Sequence, residues 1–222
     1  MKEGIFISKG ILWTFIWFGF MSLYTLLNIV VWRKLDFSYG KYLNLFTIIF
    51  CVIVFLLLLS KINNFKIDIL KNISFQGLLL SLACAGLFYF ILDKGLDPLF
   101  AKIFPTSEES YQQTLQSLSS APILSLIQVC VLAPIIEEIL MRGFLLGGLL
   151  LNYGKIVALF ISAFFFALLH FNMVQTLSAF LCGIILGLLY LYTGSIFCCI
   201  LAHMGYNLIS YITVIVPVYN RL

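Results

Sequence analysis

Charge is nearly missing from the second half of this chain. Between Ala121 and Pro217 the only charged side chains are Glu137, Glu138, Arg142 and Lys155. Over all 222 residues 10% are charged and 63% hydrophobic, and the mean hydropathy is +1.11. Soluble domains are about one quarter charged, so a water-soluble globule is excluded. Segments of about ten residues with alternating polarity, the mark of a membrane β-barrel, are also missing. A basic face is absent too. The net charge of +4 comes mainly from lysines between apolar runs, which leaves nucleic acid without support as a partner. None of the six cysteines stands in a C-x-x-C pattern, and all lie in apolar runs. They read as small buried hydrophobes rather than disulfides or metal ligands. No A-x-A cleavage site precedes Arg33, so the first apolar run reads as a retained span rather than a signal peptide.

What is present is a series of continuous apolar runs, each near the length of about 20 residues that a spanning helix needs. In lipid a helix satisfies its own backbone. The expected fold is therefore all-α, a polytopic membrane helical bundle in one domain over residues 1–222. About seven transmembrane helices are predicted, near residues 11–31, 42–60, 76–92, 122–151, 156–171, 176–192 and 195–216. The fourth is long, and a kink at Pro134 or a break near Gly143, Gly147 or Gly148 would raise the count to eight. Residues 1–92 hold spans without motifs, 93–121 a polar segment and 122–216 the helical core. In the polar segment Ser107 is a helix-start signal, and Tyr111, Leu115 and Leu118 share a face. A short interfacial helix, a lid or a solvated loop all fit. Lysine and arginine divide evenly between the two sides. An N-terminus in the cytoplasm is the working expectation, with orientation left open.

Ionisable groups inside a span are costly and survive where they face the bundle interior with a partner. The strongly polar groups of the last four spans are Gln128, Glu137, Glu138, Arg142, His170, His203 and Asn207, with Asn172 and Gln175 near a span boundary. Glu138 and Arg142 are four residues apart and can neutralise each other on one helix face. That leaves Glu137. Phe166 and His170 have the same spacing, as do His203 and Asn207. A carboxylate in a low-dielectric site suits a general base for water. His170 could share that water or a metal, and His203 with Asn207 could hold an oxyanion. Together these describe amide or ester hydrolysis. Each pair alone has a plainer reading: a structural ion pair, a core histidine, interhelical glue. Phe166, among Phe164 and Phe165, reads by itself as ordinary packing.

Other hydrolase designs are missing. No H-E-x-x-H or G-x-S-x-G occurs, and no aspartate follows Asp97, which rules out an aspartyl dyad in these spans. Two non-hydrolytic classes stay open: a scaffold or immunity factor, and a proton-coupled transporter using the embedded Glu and His.

The stripes Glu137-Glu138-x-x-x-Arg142, Phe166-x-x-x-His170 and His203-x-x-x-Asn207, in that order on separate helices, resemble the CPBP family. These are the CAAX prenyl protease and bacteriocin-processing intramembrane proteases, also called the Abi family. The resemblance covers roughly residues 122–216. It implies a membrane-embedded endopeptidase in which Glu137 and His170 activate water and His203 and Asn207 stabilise the oxyanion. Glu138, Arg142 and Phe166 would support the site. It leaves the cofactor open between zinc, with Glu137, His170 and His203 as candidate ligands, and a metal-free glutamate mechanism. Partners implied are membrane lipid and a peptide or membrane-protein substrate, with oligomeric state unspecified. Chain length and composition suggest a bacterial member in the cytoplasmic membrane. Such members are linked to peptide maturation, bacteriocin processing or self-immunity, whereas eukaryotic ones trim prenylated C-termini.

Overall fold

The computed structural model describes residues 4–35 and 37–215. Among the described residues the only regular elements are helices, with no strand. The helices are α1 (Ile7–Val30), α2 (Phe37–Asn63), α3 (Phe75–Ile103), α4 (Pro105–Ser119), α5 (122–153), α6 (155–168), α7 (Met173–Thr193) and α8 (Ile196–Ser210). The predicted end of the last span at Val216, and Lys2 and Arg221 of the charge count, lie outside the described residues.

Six helices among the described residues are long and apolar enough to cross a bilayer, with Pro122–Leu168 counted as one. The predicted number is seven, and the difference lies in that segment. A straight helix of 47 residues would run about 70 Å, more than twice the hydrocarbon thickness. The chain instead turns back at Gly154, whose φ of 75° and ψ of 175° suit a residue without a Cβ. Ser162 Oγ on α6 donates to the Met141 carbonyl on α5 at 2.9 Å, so the two arms lie antiparallel. The return arm α6 is only about 21 Å long at 1.5 Å per residue. The predicted fifth span is thus present as a helix of its own, α6, packed on α5.

This turn falls in the gap predicted between the fourth and fifth spans, whereas the further break considered within the fourth does not occur. Before Pro134 the backbone takes i→i+5 turns over Ile127–Leu132, which take up the proline ring without breaking the helix. Gly143 serves packing rather than a break: a Cβ there would meet Ile196 Cδ1 at 2.7 Å.

Asp93 does not close α3, which was predicted to stop at Leu92. A second wide turn, over Tyr89–Leu96, carries the helix on to Ile103. Tyr206 donates its hydroxyl to Asp93 Oδ1 at 2.7 Å, and Ser178 hydrogen-bonds Asp97. Partners on α7 and α8 let these carboxylates stay inside a helix. Helix α4 is present, but it begins at Pro105 with no side-chain cap, so Ser107 lies within its first turn. Its predicted apolar face is real. Leu115 is buried, with Tyr111 and Leu118 packed about it against Cys130 and Tyr211.

The motif-free first half builds an aromatic wall. Trp13 and Trp17 on α1 meet Phe55 on α2 with ring centroids 5.8 and 4.9 Å apart, and Phe144 on α5 joins them at 6.3 Å from Trp13. The Trp13 indole donates to Asn63 Oδ1 at 3.1 Å, so the ring is buried without an orphaned donor.

On the other side of α5, a Cβ on Gly183 of α7 would meet Ala163 Cα of α6 at 3.0 Å. Small residues let these two backbones approach. Gly183→Val is expected to lower stability by about 1–3 kcal/mol through overpacking. Gly86→Ala, where nothing lies within 4 Å, should be neutral or stabilising. Tryptophan-fluorescence melts in detergent check both.

Candidate active site

The buried charges of α5 form the base of the site. Arg142 Nη1 donates to Glu138 Oε1 at 2.9 Å, and both side chains have no exposure. The i, i+4 spacing anticipates this pair but not its third member. His203 Nδ1 of α8 lies 2.9 Å from the same Glu138 oxygen. Since the carboxylate only accepts, Nδ1 carries the proton. Arg142 also donates through Nη2 to the Gly183 carbonyl of α7 at 3.2 Å, and its guanidinium lies 4.5 Å over the Phe166 ring of α6. One ion cluster thereby ties four helices together.

Phe166 is more than one packed ring among three. Its ring centroid stands 5.2 Å from that of His170 and 5.6 Å from that of His203, edge-on in both cases. It separates the two imidazoles and roofs the guanidinium.

His170 differs from the expectation in its backbone. Helix α6 ends at Leu168, so His170 stands just past the helix rather than on it. Its amide reaches the Ala167 carbonyl at 3.0 Å, and its Nδ1 lies 3.1 Å from the Phe166 carbonyl. A carbonyl accepts only, so Nδ1 is the protonated nitrogen, and the ring caps one of the orphaned carbonyls at the end of its own helix. This leaves Nε2 of the neutral ring as a bare acceptor.

Glu137 is rotated away from the buried cluster, and its side chain is 17% exposed. Its Oε2 lies 3.9 Å from His203 Nε2, too far for a direct hydrogen bond. Asn207, one turn beyond His203, donates to the Val129 carbonyl at 2.9 Å and keeps a second amide hydrogen.

Glu137, His170, His203 and Asn207 all line one cavity of about 290 Å³. Helix α4 covers it with Tyr111, Thr114, Leu115 and Leu118, which favours a lid among the expected alternatives. Asn172 caps α7 by accepting from the Val174 and Gln175 amides. It also donates to the Ser107 carbonyl of α4 at 2.6 Å, fastening the lid beside His170. Burial, with Asp97, Asp93 and Glu108 nearby, pushes the Tyr111 phenol up, so it remains a neutral hydroxyl. Asp97, Ser178 and Tyr206 also line the cavity and were not anticipated. The signal available was the i, i+4 spacing of Asp93 and Asp97, which puts both on one face if α3 continues.

The candidate zinc ligands do not fit a metal as placed. Among the described residues no three His, Cys, Asp or Glu side chains come together as a metal-holding group. His203 commits Nδ1 to Glu138, and His170 commits Nδ1 to a backbone carbonyl. Glu137, His170 and His203 share a cavity wall without converging on one point. The ion cluster yields a stability prediction. Arg142→Met should cost about 3–5 kcal/mol, because Glu138 is left buried with one partner fewer. The double variant Glu138→Gln/Arg142→Met should lose less than Arg142→Met alone, read as apparent Tm in detergent.

Residues 119–209 match the family described as Rce1-like, type II CAAX prenyl endopeptidase Rce1-like. No curated protein and no solved structure matches the chain. The matched segment contains all three stripes and the whole ion cluster. At the level of the family, the corresponding activity is that of a CAAX-type intramembrane protease, and the long apolar helices agree with a multi-pass membrane protein. Across residues 119–209 the chain is similar to the Rce1-like family.

Proposed function

We propose that this protein is an intramembrane endopeptidase that hydrolyses a peptide bond of a membrane-associated peptide or protein with a water activated by Glu137. The single observation that carries this reading is the convergence of Glu137, His170, His203 and Asn207 on one lidded cavity. Composition favours a bacterial cytoplasmic membrane as its setting.

In this mechanism water donates one hydrogen to the Glu137 carboxylate and the other to the bare Nε2 of His170. Its lone pair is then free to attack the scissile carbonyl carbon. Charge develops on the carbonyl oxygen. Doubly protonated His203 donates Nδ1–H to Glu138 and turns Nε2–H to that oxyanion, and the second amide hydrogen of Asn207 supplies another donor. Two carboxylates, Glu137 and Glu138, are then balanced by the Arg142 and His203 cations. Glu137 takes the water's proton and delivers it to the leaving amine as the C–N bond breaks. Arg142 acts on the reaction only through Glu138, which orients the His203 ring.

A second cavity supports the substrate class. Glu137 also lines an apolar groove of about 560 Å³ between α1, α2 and α5, walled by Trp17, Met21 and Val52. The carboxylate therefore stands between an apolar approach and the more polar lidded cavity. An apolar substrate segment would arrive by the first, and water by the second.

The test is cleavage of quenched peptides by purified protein in detergent. Glu137→Gln and His170→Ala are each expected to lower kcat by about 10²-fold or more, with unchanged melting curves. Persistence of cleavage in both variants would refute the mechanism, and function retained without cleavage would favour a scaffold. Cleavage is expected to survive a chelator, since the donors do not converge on one point.

A further inference from the structure

We propose that Gln128 is a substrate-binding residue, whose side-chain amide grips the backbone of an extended apolar segment next to the scissile bond. This deepens the peptidase reading and rests on it. Gln128 is a strongly polar group of α5 that the ion cluster and the catalytic stripes leave unused, whereas Asn152 near the helix end is engaged by the Ile5 carbonyl.

Its placement is unusual for its sequence position. Gln128 and Glu137 are nine residues apart, which in a regular helix is about 900° of rotation and puts them on opposite faces. The i→i+5 turns over Ile127–Leu132 advance less per residue and change that phase. As a result Gln128 and Glu137 line both the apolar groove and the lidded cavity. Gln128 also borders a third, more polar cavity of about 590 Å³ beside Asn28, Lys41 and Asn44. The neighbouring Val129 carbonyl accepts from Asn207, which holds this turn of α5 in register with α8.

The amide itself is free. Among the described residues no protein group hydrogen-bonds the Gln128 side chain, which is partly exposed where the cavities meet. An amide that no protein group engages, at the mouth of an apolar groove, is available to a substrate backbone, which loses its own water as it enters the groove. A glutamine amide offers both a donor and an acceptor. One residue of an extended strand offers an N–H and a C=O on the same side, the pair that antiparallel strands exchange. The fit is bidentate. The groove favours an extended chain over a helix, because a helix about 10 Å across would fill 560 Å³ within about one turn. An unwound segment at this depth has backbone groups that need partners, whereas an alkyl chain would leave the amide unsatisfied.

The test uses the full chain in detergent micelles with Glu137→Gln, so that binding is read without turnover. The probe is a short fluorescein-labelled peptide of alternating leucine and alanine, together with versions N-methylated at one backbone amide at a time. Gln128→Leu is expected to weaken anisotropy-detected binding about fivefold to tenfold. One N-methyl position should cost the Gln128 protein the same factor and cost the Gln128→Leu protein nothing further. A labelled alkyl chain should bind both proteins alike, and the apparent Tm of Gln128→Leu should be equal or higher. Equal peptide affinity of the two proteins, absence of binding to either, fully additive N-methyl losses, or alkyl binding that falls with Gln128→Leu would each overturn the proposal. So would a fall in Tm, which marks a structural role. If the active chain cleaves no peptide, the peptidase reading fails while these binding results still decide the role of Gln128.

Discussion

A carboxylate with no exposure to solvent, Glu138, has to be paired where it stands, and the bundle is arranged around that requirement. Its partners are Arg142, one turn along the same helix, and His203, from a helix 65 residues on. Arg142 has donors left over and spends one on the Gly183 carbonyl. That bond requires α7 to come close, and the small pair Gly183 and Ala163 allows it. The guanidinium face is covered by Phe166. Satisfying one charge in an apolar interior therefore brings α5, α6, α7 and α8 to a common point.

In the proposed mechanism the same cluster prepares the chemistry. With Nδ1 of His203 held by Glu138, the other ring nitrogen is turned toward Glu137 and the cavity. With Nδ1 of His170 held by its own helix end, the bare nitrogen of that ring is fixed as well. Neither imidazole is oriented freely, since each ring is held by an acceptor placed by packing. Glu137 is the carboxylate that the cluster leaves over, and in the proposed mechanism its partial exposure lets it meet a substrate.

Wide helical turns recur where polar side chains must be re-aimed. They occur in α3 around Asp93, in α5 before Pro134, and again through Arg142. Each shifts the phase of a helix face without breaking the chain, a device often found at functional sites. The first half of the protein contributes in a different way. Its aromatic wall of Trp13, Trp17 and Phe55 buttresses α5 at Phe144, two residues from Arg142, and leaves an apolar groove leading to Glu137.

Much of this was legible in the amino-acid order. Composition and run length alone require a helical membrane bundle, because a chain this apolar can satisfy its backbone in lipid only within helices. The rarity of charge singles out Glu137, Glu138, Arg142, His170, His203 and Asn207, and i, i+4 spacing pairs Glu138 with Arg142. Local spacing carries no information about contacts between distant segments. It could not tell that His203 would share Glu138, or that His170 would stand beyond its helix end. Nor could it tell that Asp93 and Asp97 would stay within α3 by finding Tyr206 and Ser178. The turn at Gly154 was legible as the gap between the predicted fourth and fifth spans, although hydropathy, which registers length and apolarity but not φ, could not name the residue that turns. Tertiary structure decided these points, because a buried polar group is tolerated only where a partner from elsewhere in the chain meets it.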